Sequence, residues 1–302
     1  MSERQRVSEA GTVTGRTKRL WSVLYPWLML APATLVVGLF FLLPMLYMVN
    51  GSVRAETPAG TGSSFTPAAY REVLTSTYYL HTFAATIGTG LLVTLITILL
   101  GFPLASWYSR AKGGKRVALL MLIASPLLVN MVVRTYGWLL LLDQGGLINT
   151  LLRMSGLIEA PLKLVYNSTG VVIGMTHVFL PFMVLSIASS LESIDPRLYE
   201  SAQLLGATPT QQFTTVTVPL SRPGILAGSV MVFSLTQGAF VTPLVLGGTA
   251  VRLATVLVYT DTLVLFKWAR GTAVAMVLLM LMLVLLYIQR RVFGREGGGY
   301  AA

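Results

Sequence analysis

The sequence predicts an all-α membrane protein with six transmembrane helices and both termini on the inner side (N-in/C-in). Three observations predict it. Of 302 residues, 54% are hydrophobic and 11% are charged, whereas an ordinary soluble domain carries about 25% charged residues. The apolar residues gather into six long segments, and helices are the expected way to satisfy backbone groups inside a bilayer. The formal net charge of +11 lies in short clusters beside those segments, as the Lys and Arg bias of inner loops requires.

Residues 1–20 form a polar tail with Arg4, Arg6, Arg16, Lys18 and Arg19, expected to fray. The first span, 27–49, is about 35 Å long at ~1.5 Å per residue, enough to cross. It is too long for a signal-peptide core and has no small-residue cleavage site, so it is expected to be retained. Trp21, Tyr25 and Trp27 suit the headgroup level. A hydrophilic stretch, 51–80, precedes the second span, 82–108, and a tight basic turn at 110–116 leads to the third, 117–142. A mixed loop, 143–168, precedes the fourth, 169–191. A long connection, 192–222, leads to the fifth, 223–246. The loop 247–267 leads to the sixth, 268–289. The membrane domain is expected over 21–295, followed by a short tail, 296–302.

Orientation follows from the cations. The inner side would hold the tail cations with Arg110, Lys112, Lys115, Arg116, Arg197, Arg222, Arg290, Arg291 and Arg295. The outer side would hold Arg54, Arg71, Arg153, Lys163, Arg252, Lys267 and Arg270, a ratio of about two to one with the densest clusters inside. Because the cations flank spans, no nucleic-acid partner is expected; membrane lipid is. No internal repeat is visible, which argues against an inverted-repeat secondary carrier.

Several chemistries are excluded by residue type. There is no cysteine, and His81 and His177 are the only histidines, so no disulfide and no thiolate or histidine-based metal centre is expected. Gly113-Gly114-Lys115-Arg116 has neither the spacing nor the hydroxyl residue of a phosphate-binding loop. Asp143, Glu192 and Asp261 fall at span ends or in loops, whereas ion-driven carriers place ionisable groups near the midplane. His177 beside Thr176 does not make a catalytic triad, and no catalytic residue is expected.

The connection 192–222 is unusually well specified. Asp195-Pro196 is a helix start, with Asp as N-cap and proline at the first helical position. Leu198, Ala202 and Leu205 then share a face, with Tyr199, Glu200, Ser201 and Gln203 around it, and Gly206 followed by Ala207 supplies a stop. Thr208-Pro209 repeats the start signal for a second short helix, expected to end before Pro219. A helix merely lying on the bilayer would have a polar face rich in Lys and Arg, and Arg197 is its only cation.

Glu200-Ser201-Ala202, then Gly206, then Val216, Val218 and Pro219 resembles the EAA loop of ABC-importer permeases. That pattern is Glu-Ala-Ala, three residues, Gly, nine residues, Ile, one residue, Leu-Pro; the spacing matches, with Ser201, Val216 and Val218 as departures. Further stretches are similar to the spermidine/putrescine branch: Leu180-Pro181-Phe182-Met183-Val184 through Ser189-Ser190-Leu191-Glu192 to Asp195, Asn130 through Arg134-Thr135-Tyr136-Gly137, and Gly271-Thr272-Ala273. The resemblance implies a type I importer permease fold with a cytoplasmic coupling helix, in a bacterial inner membrane. It implies three kinds of partner: a second permease subunit, two ATP-binding subunits that carry ATP and Mg, and a substrate-binding protein. This chain would bind no cofactor itself. In the family the first short helix docks on the ATPase, with Glu200 in a polar contact, Ala202 in close packing and Gly206 at the turn. The branch implies polyamine cargo, although seven outer cations face Glu56, Glu72, Asp143, Glu159 and Asp261, and an amino-acid derivative such as a γ-amino acid, or a phosphonate, stays open.

Candidates for the translocation path are fewer. Arg134 lies within span three towards its outer end, either as a pore or gate cation, paired with an acidic loop group, or as a snorkelling anchor. His177, one turn before Pro181, either makes an interhelical hydrogen bond or touches cargo. Thr236 to Pro243 in span five, with Gln237, Phe240 and Thr242, combines polar groups and helix breakers as a cavity-lining span does; close packing through small residues is the alternative. Tyr136 and Trp138 would face the path or anchor in the aromatic belt.

Overall fold

The computed structural model describes residues 29–57 and 60–293. The polar tail 1–20, the aromatic anchors Trp21 to Trp27, Arg295 and the tail 296–302 lie outside the described residues. Among the described residues, five helices are long and apolar enough to cross a membrane by themselves. They are α1 (Met29–Ser52), α3 (Thr77–Arg110), α7 (Ser168–Glu192), the continuous run Pro209–Gly238, and α13 (Trp268–Phe293), which qualifies over Trp268–Gln289. A sixth crossing exists only if a sharply bent pair is taken as one span.

The third span, expected over 117–142, is this bent pair rather than one helix. Helix α4 (Gly113–Leu128) ends, and α5 (Met131–Leu142) followed by α6 (Leu147–Met154) leaves at 98° to it. The break has a local cause. Pro126 cannot donate a backbone bond to the Leu122 carbonyl, which instead accepts from Ser125 Oγ at 2.8 Å. Four residues later the Asn130 side chain accepts from Val132 N at 2.9 Å, so it N-caps a new helix rather than continuing the old one.

The connection 51–80 is not featureless. It holds an antiparallel hairpin, β1 (Arg54–Thr57) and β2 (Gly60–Phe65), in which Glu56 pairs with Thr61, and then helix α2 (Ala68–Thr75). Helix α3 begins earlier than the hydropathy edge, at Thr77, and its 34 residues reach roughly 51 Å at ~1.5 Å each, beyond a ~30 Å hydrocarbon core. The loop 247–267 likewise contains α12 (Ala254–Tyr259) and a π-turn, Thr260–Val264, packed on α13.

The core is the mutual packing of α3, α7 and the helix α10 (Val218–Gly238). Val93, Met175, Met183, Val184, Ile187 and Val232 are fully buried there. The helices approach closely because small residues meet at the crossing: a Cβ on Gly224 would stand 2.4 Å from the Ser186 carbonyl oxygen, and one on Gly228 would stand 2.7 Å from Met183 Sδ. Buried hydroxyls bond back to their own helix, as Thr94 does to Gly90 O and Thr236 to Val232 O, each at 2.7 Å. Thr94 and Thr236 therefore add no unpaired hydroxyl to the interior, whereas Thr176 Oγ1 and Ser106 Oγ are buried without a partner. A second cluster, with Val73, Tyr79, Phe83, Leu257 and Val274, joins α2, α12 and the start of α13 to the start of α3. Helix α1 exposes its apolar side chains along its whole spanning window.

Candidate coupling surface and translocation path

Helix α8 (Pro196–Leu204) is closed at both ends by its own sequence. Asp195 Oδ1 accepts from Arg197 N at 2.9 Å. At the other end Gly206 N donates to Gln203 O at 2.9 Å and Ala207 N to Ala202 O at 3.0 Å, the paired bonds of a Schellman stop. That stop needs Gly206 at φ +82°, a left-handed conformation that glycine adopts without cost. Helix α9 (Pro209–Gln212) follows on a capping box in which Thr208 N donates to Gln211 Oε1 at 2.8 Å and Thr208 Oγ1 accepts from Gln211 N at 3.3 Å.

The second short helix does not end before Pro219. A π-turn, Phe213–Thr217, joins α9 to α10, so Pro209–Gly238 is one 30-residue helix. Val218 N donates to Phe213 O, and this wider ladder places Pro219 in the first turn of α10, where its missing N–H is tolerated. The turn also fastens α8 to the membrane body: Tyr199 and Thr217 share a hydroxyl hydrogen bond of 3.2 Å, and Phe213 meets Phe102 of α3 edge to face at 5.5 Å. Gln212 Nε2 donates to Ala207 O at 3.2 Å.

Tyr199 and Ala202 are thus half-buried against the body, whereas Glu200, Ser201 and Gln203 are exposed. The expected apolar face of Leu198, Ala202 and Leu205 is not one buried stripe. Leu205 lies beyond the last helical residue and is 88% exposed, and Leu204 is 89% exposed. The start of this connection is tied down by Arg116, which pairs with Glu192 at 2.8 Å and lies over the Tyr108 ring at 5.1 Å.

The path candidates separate. Arg134 has no acidic partner among the described residues; its guanidinium donates to the Pro126 carbonyl, left over where α4 breaks. His177 Nδ1 accepts from Trp138 Nε1 at 3.1 Å, and the two rings meet edge to face. Span five is not straight: α10 stops at Gly238, and α11 (Val241–Gly247) restarts after Phe240. Gln237 is 2% exposed and donates to the Thr86 carbonyl at 3.3 Å, lying where Gly90 leaves room for it between α10 and α3. Thr242, also buried, is 3.4 Å from Thr135 Oγ1, joining α11 to α5. Tyr136 is exposed. Phe240 packs on Tyr259 at 4.9 Å, and both line a groove of about 370 Å³ with Thr255 and Thr262. Arg134, Gln237, Thr242 and His177 therefore connect helices, while Phe240 and Tyr136 present surface.

The model of the binding-protein-dependent transport system inner membrane component family matches residues 116–295, more than half of the chain. The chain belongs to this family. The permease is 35% identical over 200 residues to the spermidine/putrescine transport system permease protein PotB of Haemophilus influenzae, covering 66% of this chain and 70% of that protein. To PotB of Escherichia coli it is 30% identical over 254 residues, covering 84% and 92%. The solved structure of a bacterial alginate ABC transporter, in complex with its alginate pentasaccharide-bound periplasmic protein, contains a chain of the same fold. Its TM-score is 0.78 at 19% identity, over 93% of this chain and 99% of that one. The permease is accordingly a subunit of an ABC importer and a multi-pass inner-membrane protein.

Sequence reasoning missed one polar centre in the permease. Asp261, 1% exposed in the π-turn after α12, takes two bonds from Arg270, at 2.7 and 3.2 Å, and one from Tyr79 OH at 3.3 Å. Arg270 also reaches Glu72 at 3.2 Å, and Glu56 accepts from the backbone N–H groups of Ala269 and Arg270. Five elements meet at this centre. Asp261 and Arg270 are nine residues apart with a turn between them, and neither the hydropathy profile nor any local spacing rule marks them as a pair.

Proposed function

We propose that the permease forms one half of the translocation path of an ATP-driven importer for a polyamine such as spermidine or putrescine. In this reading both termini lie in the cytoplasm and the bent α4–α5 pair completes six crossings. The chain hydrolyses nothing itself: two ATP-binding subunits, with ATP and Mg, drive a second permease subunit and this one. A substrate-binding protein delivers the cargo.

One observation carries the mechanism. Helix α8 is capped at both ends, fastened through Tyr199 and Thr217 to the helix that continues into the membrane, and presents Glu200, Leu204 and Leu205 outward. A body closing on that surface would push the run Pro209–Gly238 as a rod, because no loop intervenes between its π-turn and its membrane half. Exposed leucines with an acidic neighbour suit a protein groove better than lipid headgroups, which select Lys and Arg. The displacement would be felt at Gly238–Phe240, where the rod ends beside the Phe240–Tyr259 groove. Aromatic faces there can attract ammonium groups.

The absence of native cysteine allows a direct test. Glu200→Cys and Leu204→Cys, placed singly in the full complex, are expected to cross-link to the ATP-binding subunit. Glu200→Lys is expected to abolish ATP-driven uptake of labelled spermidine into proteoliposomes without changing cargo capture by the binding protein. Undiminished uptake by Glu200→Lys would remove α8 from coupling. Uptake of a γ-amino acid or a phosphonate in preference to polyamines would leave coupling intact and change the cargo.

A further inference from the structure

We propose that the groove between the end of α3 and the start of α4 is a binding site for one anionic phospholipid. The groove holds about 600 Å³ and is lined by Trp107, Arg110, Lys112, Lys115, Leu119 and Leu122, among others. Its rim carries three cations, and among the described residues none of the three has an acidic partner within ion-pairing distance. Arg116, next in the chain, is different: Glu192 and the Tyr108 ring already engage it. Uncompensated cations gathered on so short a turn repel one another unless a counter-charge joins them.

Below the rim the lining becomes apolar. Leu122 lies two turns from Lys115, about 10 Å along the helix at ~1.5 Å per residue. Charge gives way to hydrocarbon over the distance that separates a phospholipid phosphate from its acyl chains. Trp107, 62% exposed on the opposite wall, is the residue type favoured at that level. The backbone at the turn leaves the space open: Gly113 and Gly114 have no atom within 4 Å of a would-be Cβ, and no side chain caps α4. A free phosphate would satisfy the rim and leave the apolar wall wet; a phospholipid satisfies both. Basic pockets between membrane helices are a known way to hold anionic headgroups. The site depends only on the permease lying in a membrane, not on the coupling role of α8 or on which leaflet the turn faces.

The test uses the full-length chain in the complex with which it purifies, and phospholipids brominated on their chains, which quench nearby tryptophan. Subtracting the signal of Trp107→Phe isolates Trp107 from the other tryptophans. Its quenching is expected to saturate with brominated phosphatidylglycerol at about ten-fold lower mole fraction than with brominated phosphatidylcholine. Arg110→Gln, Lys112→Gln and Lys115→Gln together should erase that preference. If this variant does not assemble, raising the salt on the native complex should erase it instead. Equal quenching by both lipids, or a preference that survives both charge removal and salt, overturns the proposal. Displacement of the lipid by inorganic phosphate alone would make it an anion site, and cross-linking of Lys115→Cys to the second permease subunit would fill the groove with protein; either result refutes it.

Discussion

Gly206 is where helix α8 is most sharply dependent on one residue. At φ +82° a side chain is strained by its own backbone, yet a Cβ there would meet no atom within 4 Å. Replacement by alanine therefore costs only the left-handed penalty, about 1–2 kcal/mol, uncomplicated by clashes. Asparagine tolerates this conformation better and should cost less. Proline cannot reach it, and it also removes the Gly206 N–H bond to Gln203, a further ~1 kcal/mol. A loss of about 1.4 kcal/mol lowers the population of the correctly stopped helix, relative to frayed forms, ten-fold. ATP-driven uptake by proteoliposomes should fall in the order native, Gly206→Asn, Gly206→Ala, Gly206→Pro, with equal amounts of complex recovered in the first three. An alanine variant as active as the native protein beside an impaired asparagine variant would refute the claim that the Schellman stop holds α8 in its working position.

Three further substitutions probe the body. Arg134→Leu removes the donor to the Pro126 carbonyl at the α4–α5 corner and should cost about 1.5–3 kcal/mol, the range for bonds to charged groups; an unchanged Tm of the detergent-solubilised complex would count against the capping role. Asp261→Asn weakens a buried ion pair and should approach the ~3–5 kcal/mol lost when one partner is removed, whereas Asp261→Asn with Arg270→Met should recover part of that loss. Additive effects in this double-mutant cycle would show that the two residues are not coupled. Gly224→Ala forces a Cβ to 2.4 Å from the Ser186 carbonyl oxygen and should cost about 1–3 kcal/mol. Gly88→Ala on the same core helices meets nothing and should leave Tm unchanged or raise it; equal effects would discount the close crossing of α7 and α10.

What was legible followed from local rules. Long apolar helices were found by hydropathy because water and lipid act on each residue separately. The caps Asp195, Gly206 and Thr208 were found because their partners lie within a few residues. Pro219 misled for a related reason. Read alone it ends a helix, and only the π-turn before it shows how the chain accommodates proline and continues. The path residues were harder. Gln237 and Thr242 look cavity-lining by type, but Gln237 meets the Thr86 carbonyl 151 residues away and Thr242 meets Thr135 107 residues away. No period or motif encodes such a pairing.

The sequence by itself determined the membrane class, the presence of several long apolar helices, and the helix caps at Asp195, Gly206 and Thr208 in the 192–222 connection. Each depends on solvent transfer or on bonds closed within one or two turns, and those energies are properties of short stretches of chain. The break after Leu128 and the joining of α9 to α10 have local causes that hydropathy does not report; tertiary structure alone decided the assembly of Asp261, Arg270, Glu72 and Tyr79 from four separate elements. It also decided which polar residues hold helices together and which remain open to a partner. These outcomes depend on which helix faces lie within about 3 Å of one another, a distance fixed only when all the helices are packed.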